Sequence, residues 1–189
     1  MNIIAGTARN LELATLPDCG VRPTAVRARK ALFDSLGCFD GIAVLDLFSG
    51  SGALALEAVS RGAASAAMVE CDSQHIECNK ENCRRVSASG AKGKMTVFEF
   101  DATQPERYLT RLSGKPNIVF ADPPYAKSGE YFKKFMSDEH FCAFLRGARL
   151  IWEIPDTPGA MADFINIPQL DDVKFRRFGG TVFLSGKIK

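Results

Sequence analysis

IAVLDLFSGSGALALEAVSRG, residues 42–62, decides the fold. IAVLDLF (42–48) is an apolar run carrying one acid, the length of a strand covered on both faces. Glycines follow at once, and ALALEAVSRG (53–62) reads as a helix closed by Gly62. Strand, glycine loop and helix in direct succession open a βαβ unit. The alternation continues outward. SAAMVE (65–70) is a strand, 73–86 a helix, KMTVFEF (94–100) a strand, and 104–112 a short helix. NIVFAD (117–122) is the next strand, with helical character near 130–145. RLIWE (149–153) is a fifth strand, and a helix begins around Pro158. Strands alternating with helices predict a parallel sheet covered on both faces. At the end, VKFRRF and TVFLSGKI flank Gly179-Gly180, a hairpin signal, so the last two strands are expected to be antiparallel neighbours. The expected fold class is α/β, Rossmann-like: a doubly wound, mostly parallel seven-stranded sheet with a C-terminal antiparallel hairpin.

Ahead of this pattern lies a small N-terminal extension, residues 1–37, set against a main domain of 38–189. Ile3 and Ile4 start one or two short strands with loops that end near Pro17, Asp18 and Gly20. RPTAVRARKALFDSLG (22–37) is a helix in which Pro23 stops what precedes, Thr24 is placed to cap the start, and Gly37 caps the end.

A chain of 189 residues, 46% hydrophobic and 24% charged, suits one globular domain with a sizeable core. The net charge of +2 does not by itself argue for nucleic acid. Local clusters say more. Lys80 to Lys94 holds five bases against one acid, and beyond Asp172 there are five bases and no acid. Arg22, Arg27, Arg29 and Lys30 form a third group, expected to face phosphates from the first helix. The six cysteines show no CxxC, and the two histidines, His75 and His140, lack ligand spacing to them, so no metal site is expected. Buried, reduced thiols in a cytoplasmic protein fit better. MNIIAGTARN lacks the charged start and apolar core of a signal peptide, and no apolar run reaches membrane-spanning length.

Gly50-x-Gly52-x-x-Ala55 matches the dinucleotide fingerprint, with Glu70 twenty residues on. Asp46 argues against a dinucleotide, because its carboxylate stands where a pyrophosphate would sit. S-adenosylmethionine, with an ammonium, a sulfonium and one carboxylate, has the opposite requirement. Asp46 also has a plainer reading as a cap on the loop. Asp46, Glu70, Asp101 and Asp122 close four successive strands, and ligands of doubly wound sheets bind outside those ends. After Asp122 come Pro123 and Pro124, whose rigid backbone lets their carbonyls face outward, and then the flat ring of Tyr125.

DLFSGSG, Glu70, Asp101, DPPY at 122–125 and the closing hairpin together resemble a class I S-adenosylmethionine-dependent methyltransferase acting on an amino group. With RPT at 22–24 and the helix running into ALF, nearly the whole chain resembles the RsmD family, which methylates the exocyclic N2 amine of a guanine in bacterial 16S ribosomal RNA. The resemblance implies that Asp46, Phe48, Ser49, Gly50 and Gly52 hold the methionine part of the cofactor, Glu70 the ribose and Asp101 the adenine, with Thr24 also on the cofactor side. It implies that Asp122, Pro123, Pro124 and Tyr125 hold the target base, within 16S RNA, a small subunit or an assembly intermediate. Val26 and Lys30 depart from the family, which usually carries acids there. The alternatives are a DNA adenine or cytosine amino-methyltransferase and a catalytically inactive cofactor- or RNA-binding protein. Only 67 residues follow Asp122, which leaves no room for a separate DNA-reading module.

Overall fold

In the computed structural model, residues 1–16, 23–157, 159–178 and 180–189 are described, with the backbone alone for 23–25 and 155. Arg22, Pro158, Gly179 and the Thr24 side chain, singled out above, lie outside the described residues. Seven strands form one sheet in the order β3-β2-β1-β4-β5-β7-β6. They are β1 (Ala43–Leu47), β2 (Ser65–Glu70), β3 (Lys94–Glu99), β4 (Ile118–Ala121), β5 (Arg149–Pro155), β6 (Leu170–Phe178) and β7 (Thr181–Ile188). The first five run parallel, and β7 pairs antiparallel with both β5 and β6. The strand order reverses between β1 and β4. That switch point opens a crevice at the carboxyl ends of the two strands.

Alternation along the strands sorts the core into two layers. Leu45, Leu47, Val119 and Trp152 face α4 (Ser128–Ser137) and α5 (Glu139–Phe144). Val44, Phe120 and Ile151 face the other way, onto α1 (Pro23–Leu36) and α2 (Ala53–Ser60), with Val86 of α3 (Ser73–Ala88) in the same layer. Trp152 lies edge-on to Phe132, with ring centroids 5.1 Å apart, and its indole N–H donates to Ser128 at 2.9 Å. A buried indole needs such a partner.

The N-terminal segment pairs more briefly than the expected strands. One antiparallel bridge, Asn2 to Glu12, is flanked by backbone bonds from Ile3 N to the Leu11 oxygen, from Asn10 N to the Ile3 oxygen and from Leu13 N to the Met1 oxygen. Glu57 of α2, fully buried, anchors this pairing: its carboxylate accepts from Ile4 N (2.7 Å), Ala5 N (3.1 Å) and Arg61 Nε (2.7 Å). The amides beyond the bridge are thereby satisfied. Gly6, at φ +84°, crosses so close to α2 that a Cβ there would lie 1.8 Å from the Ser60 carbonyl oxygen. The helix expected at 104–112 is instead a pair of 3-10 turns, Pro105–Arg107 and Leu109–Arg111, and the one expected near Pro158 is a 3-10 helix, Ala160–Phe164. The helical stretch at 130–145 breaks at Asp138, whose extended backbone lets its carboxylate cap Phe141 N at 2.9 Å.

Arg29 is the exception among the bases of α1 expected to face phosphate. It is 5% exposed and bonds the Asn2 carbonyl oxygen, locking the N-terminal segment from beneath. Arg27 is exposed, and Lys30 pairs with Asp34. The thiols also differ from expectation: Cys38 and Cys71 are exposed, and Cys78, Cys83 and Cys142 are half-buried. No helix among the described residues is long and apolar enough to cross a membrane.

Glu57→Ala leaves two amides and a guanidinium facing a buried void. It should cost about 3–5 kcal/mol in urea unfolding, whereas the exposed Arg27→Ala should stay within about 0.5 kcal/mol. Equal, small losses in both variants would contradict the anchoring role of Glu57.

Candidate active site

The glycine loop turns the chain from β1 into α2 through three left-handed residues, Phe48 (φ 59°), Gly50 (φ 51°) and Gly52 (φ 81°). Gly52 must be glycine for a second reason, since a Cβ there would lie 2.6 Å from Asn79 Oδ1. At Gly50 the nearest atom to such a Cβ is His75 Cδ2, at 3.9 Å, so the loop faces open space toward the crevice. The Phe48 side chain turns inward and stacks on Tyr131, with ring centroids 5.5 Å apart and planes within 3°. Ser49 is buried, and its hydroxyl accepts from Asn79 Nδ2 at 3.1 Å. Ser49 also spends its backbone inside the fold, its N–H donating to the Val69 carbonyl oxygen at 3.0 Å and its own carbonyl accepting Gly52 N at 2.7 Å.

Asn79 and Asn82, both fully buried on α3, hold this loop from behind; Asn82 Nδ2 donates to the Ser51 and Ala14 carbonyl oxygens. The sequence reading missed them. The signal was available: two asparagines one turn apart on the apolar side of a helix must be satisfied, and a loop rich in exposed carbonyls is their natural partner.

Asp46 is 1% exposed and accepts from Ala55 N at 3.1 Å. The capping reading of Asp46 is thus realised. Burial pushes its carboxyl up to about 7; the Ala55 bond opposes the shift and the charge of Glu70 adds to it. Glu70 ends β2 and clasps the loop, accepting Gly50 N at 2.8 Å on one oxygen and Cys71 N and Asp72 N on the other. Asp101 stands two residues beyond β3 and bonds Thr103 N at 2.8 Å.

Across the crevice, Asp122 follows β4 directly. The surrounding protein, the charge of Glu153 and then that of Asp46 push its carboxyl well above the usual carboxylate range. The side chain is nonetheless exposed at the crevice mouth, so water offsets part of the burial effect and the upward direction is what stands. Pro123 is buried, and among the described residues no hydrogen bond ends on its carbonyl oxygen. Pro124 corrects the expectation of two outward carbonyls, because its own accepts Lys127 N at 2.9 Å in a 3-10 turn. Tyr125 is 45% exposed, and its hydroxyl donates to Glu153 Oε1 at 2.7 Å. Glu153 lies at the carboxyl end of β5, a strand-end acid like the others that the sequence reading passed over.

Part of each basic cluster is ion-paired within the molecule. Lys80 bridges Glu77 and Glu99, Arg84 and Arg85 share Glu81, Lys174 pairs with Asp172 and Arg177 with Asp156. No group of His, Cys, Asp and Glu suited to a metal ion occurs among the described residues.

The strand order, the glycine loop and the acids along one sheet edge define a class I methyltransferase fold. Residues 1–182 match the model of the family described as Conserved hypothetical protein 95. The chain is similar to ribosomal RNA small subunit methyltransferase D of Escherichia coli (strain K12), 35% identical over 128 residues, which cover 67% of this chain and 61% of that protein. It is similar to YlbH of Bacillus subtilis, 30% identical over 126 residues, which cover 66% of this chain and 67% of YlbH. Among solved structures it resembles yhhF of Escherichia coli, whose name assigns it to the methyltransferases. That likeness has a TM-score of 0.73 and 27% identity, over 100% of this chain and 98% of the other. The chain belongs to the Conserved hypothetical protein 95 family, the RsmD family of methyltransferases.

Asp46 generates a pH prediction. The folded protein holds this proton more tightly than the unfolded chain does. The stability it contributes is therefore full below about pH 4 and is lost as pH rises through about 7. Urea unfolding of wild type and Asp46→Asn should diverge across that window, by on the order of 1.4 kcal/mol per pH unit, with the variant the more stable at the upper end. A difference independent of pH would contradict the assignment.

Proposed function

We propose that the protein transfers a methyl group from S-adenosylmethionine to the exocyclic N2 amine of a guanine in 16S ribosomal RNA. The observation that carries this reading is the acceptor cluster after β4: Asp122 at the crevice mouth, the Pro123 carbonyl, and the exposed ring of Tyr125 beside them. Relatives named for small-subunit ribosomal RNA support the substrate class. On this reading the protein works in the cytoplasm, on naked RNA, a small subunit or an assembly intermediate. Residues 38–189 form the catalytic domain, and 1–37 extend it.

The donor set fits the cofactor. Asp46 brings an acid to the side of the crevice where an ammonium and a sulfonium would lie, and a dinucleotide pyrophosphate would be disfavoured there. The open face at Gly50 admits close approach to the loop backbone. Asp46 and the Phe48–Gly52 loop would hold the methionine part, Glu70 the ribose and Asp101 the adenine amine, with Thr24 nearby in the family pattern. Each carboxylate oxygen of Glu70 has two lone pairs, so Oε2, which accepts Gly50 N, retains one for a ribose hydroxyl. When bound, the cofactor supplies an electrophilic methyl on sulfonium.

Guanine N2 is a poor nucleophile because its lone pair is delocalised into the ring. Asp122 and the Pro123 carbonyl would each accept one N–H of the amine, turning the lone pair toward the methyl carbon. The rigid Pro123-Pro124 backbone fixes that geometry, and positioning of this kind is where most of the rate is gained. Tyr125 offers a plate for a base withdrawn from its helix. The amine loses its proton after transfer, so Asp122 need not act as a strict general base.

Asp122→Ala should keep cofactor affinity within about twofold while its single-turnover methyl transfer to small subunits falls by about a hundredfold or more. Digestion of the labelled wild-type product should release N2-methylguanosine. Transfer by the variant at a wild-type rate, or label in a methylated adenosine or cytidine, would overturn the proposal.

A further inference from the structure

Guanine differs from the other amino-bearing bases in what stands beside its amine. Adenine N1 and cytosine N3 are acceptors next to the exocyclic amine, whereas guanine N1 carries a hydrogen. Guanine thus shows two adjacent donors on its Watson–Crick edge, the edge by which a withdrawn base is read. A site that selects it needs two adjacent acceptors.

The edge of the sheet supplies them. Parallel β4 and β5 pair Ala121 with Trp152, and one step farther along the same register sets Asp122 beside Glu153. At the ordinary strand spacing of ~4.8 Å the two carboxylates are neighbours. Both fall on the face that carries Asp46, since Asp46 is opposite Phe120 and Phe120 opposite Ile151, each two residues before. Glu153 is half-buried and its place is fixed. Its carbonyl oxygen accepts from the Ser128 hydroxyl at 3.3 Å, Ser128 is in turn bonded by the buried Trp152 indole, and its Oε1 accepts the Tyr125 hydroxyl. The Tyr125 bond ties the stacking ring to the acceptor wall, so ring and wall form one surface. A carboxylate has about four acceptor positions, so one bond from the tyrosine does not exhaust it.

We propose that Glu153 is the residue that selects the base: its carboxylate accepts guanine N1–H while Asp122 accepts from the neighbouring amine. This rests on the guanine-amine reading above and adds to it the means of discrimination. Adenine or cytosine in the same pose would turn a ring-nitrogen lone pair toward the Glu153 charge, and a site built for a donor rejects a base that lacks it far more strongly than shape alone allows. The charge of Glu153 also helps to hold the Asp122 carboxyl above its ordinary range, as expected of two acids sharing one small space. No separate base-reading module is then required.

2-Aminopurine separates the two effects, because it keeps the exocyclic amine of guanine but has a bare N1. Small subunits would be reconstituted with 16S RNA carrying either guanine or 2-aminopurine at the position the wild type labels. Wild type should favour guanine by at least about a hundredfold in methyl transfer per unit cofactor-bound enzyme. In Glu153→Gln the amide still accepts from Tyr125 and can donate to a bare N1, so the preference should fall to about tenfold or less. The fluorescence of 2-aminopurine, quenched on stacking, gives a readout independent of transfer: the variant should bind the substituted particle about tenfold more tightly than wild type does. A preference unchanged by Glu153→Gln, or a wild type indifferent to the missing N1–H, overturns the role of Glu153 while leaving guanine-N2 methylation standing. Wild-type label on a base other than guanine sinks both.

Discussion

A carboxylate buried at the end of the central strand is the constraint on which the rest of the structure depends. Asp46 has almost no contact with water, and its bond from Ala55 N ties β1 directly to the first turns of α2. A short chain span joins these two points, so it must reverse tightly, and Phe48, Gly50 and Gly52 take left-handed conformations to do so. Glu70 then clasps the reversed loop from the neighbouring strand, and Asn79 braces it from α3 by donating to Ser49. Acidic side chains are thereby set in place before any ligand arrives. The cost of burying that charge is visible in the raised Asp46 carboxyl, and a cationic ligand is what would offset it.

Much of the fold could be read in the sequence because the two structural periods are clean. SAAMVE is β2 residue for residue, and IAVLDLF, KMTVFEF and NIVFAD each overrun their strands by only one or two residues at an end. The closing hairpin could be read from its two apolar strands and the glycines between them. What could not be read was local geometry set by tertiary partners. Residues 1–16 pair only briefly with one another, and Glu57, far along the chain, takes the amides of Ile4 and Ala5. Pro105 opens a stretch that alternates turn and loop, and periodicity alone does not separate 3-10 turns from a short helix.

The site divides along a similar line. Acids at strand ends could be found because a strand end is where an apolar run meets its first charge. Asp46, Glu70, Asp101 and Asp122 were found that way, and the structure sets them along one edge. Glu153 carries the same signal in RLIWE, but its strand belongs to the part of the sheet where the parallel rhythm gives way to the hairpin. Arg29 shows the converse. In sequence it is one base among four, and only the packing of α1 against residues 1–14 reveals that its guanidinium serves Asn2 and the N-terminal segment rather than a phosphate.

On the proposed function, the acceptor pair at the end of β4 holds one guanine amine in 16S RNA for methyl transfer from the cofactor. Mass spectrometric mapping of 16S RNA from cells with and without this gene tests it most directly. The account predicts that a single N2-methylguanosine disappears with the gene and returns with wild-type protein but not with Asp122→Ala. An unchanged map, or loss of methylation on an adenine or cytosine instead, would contradict it.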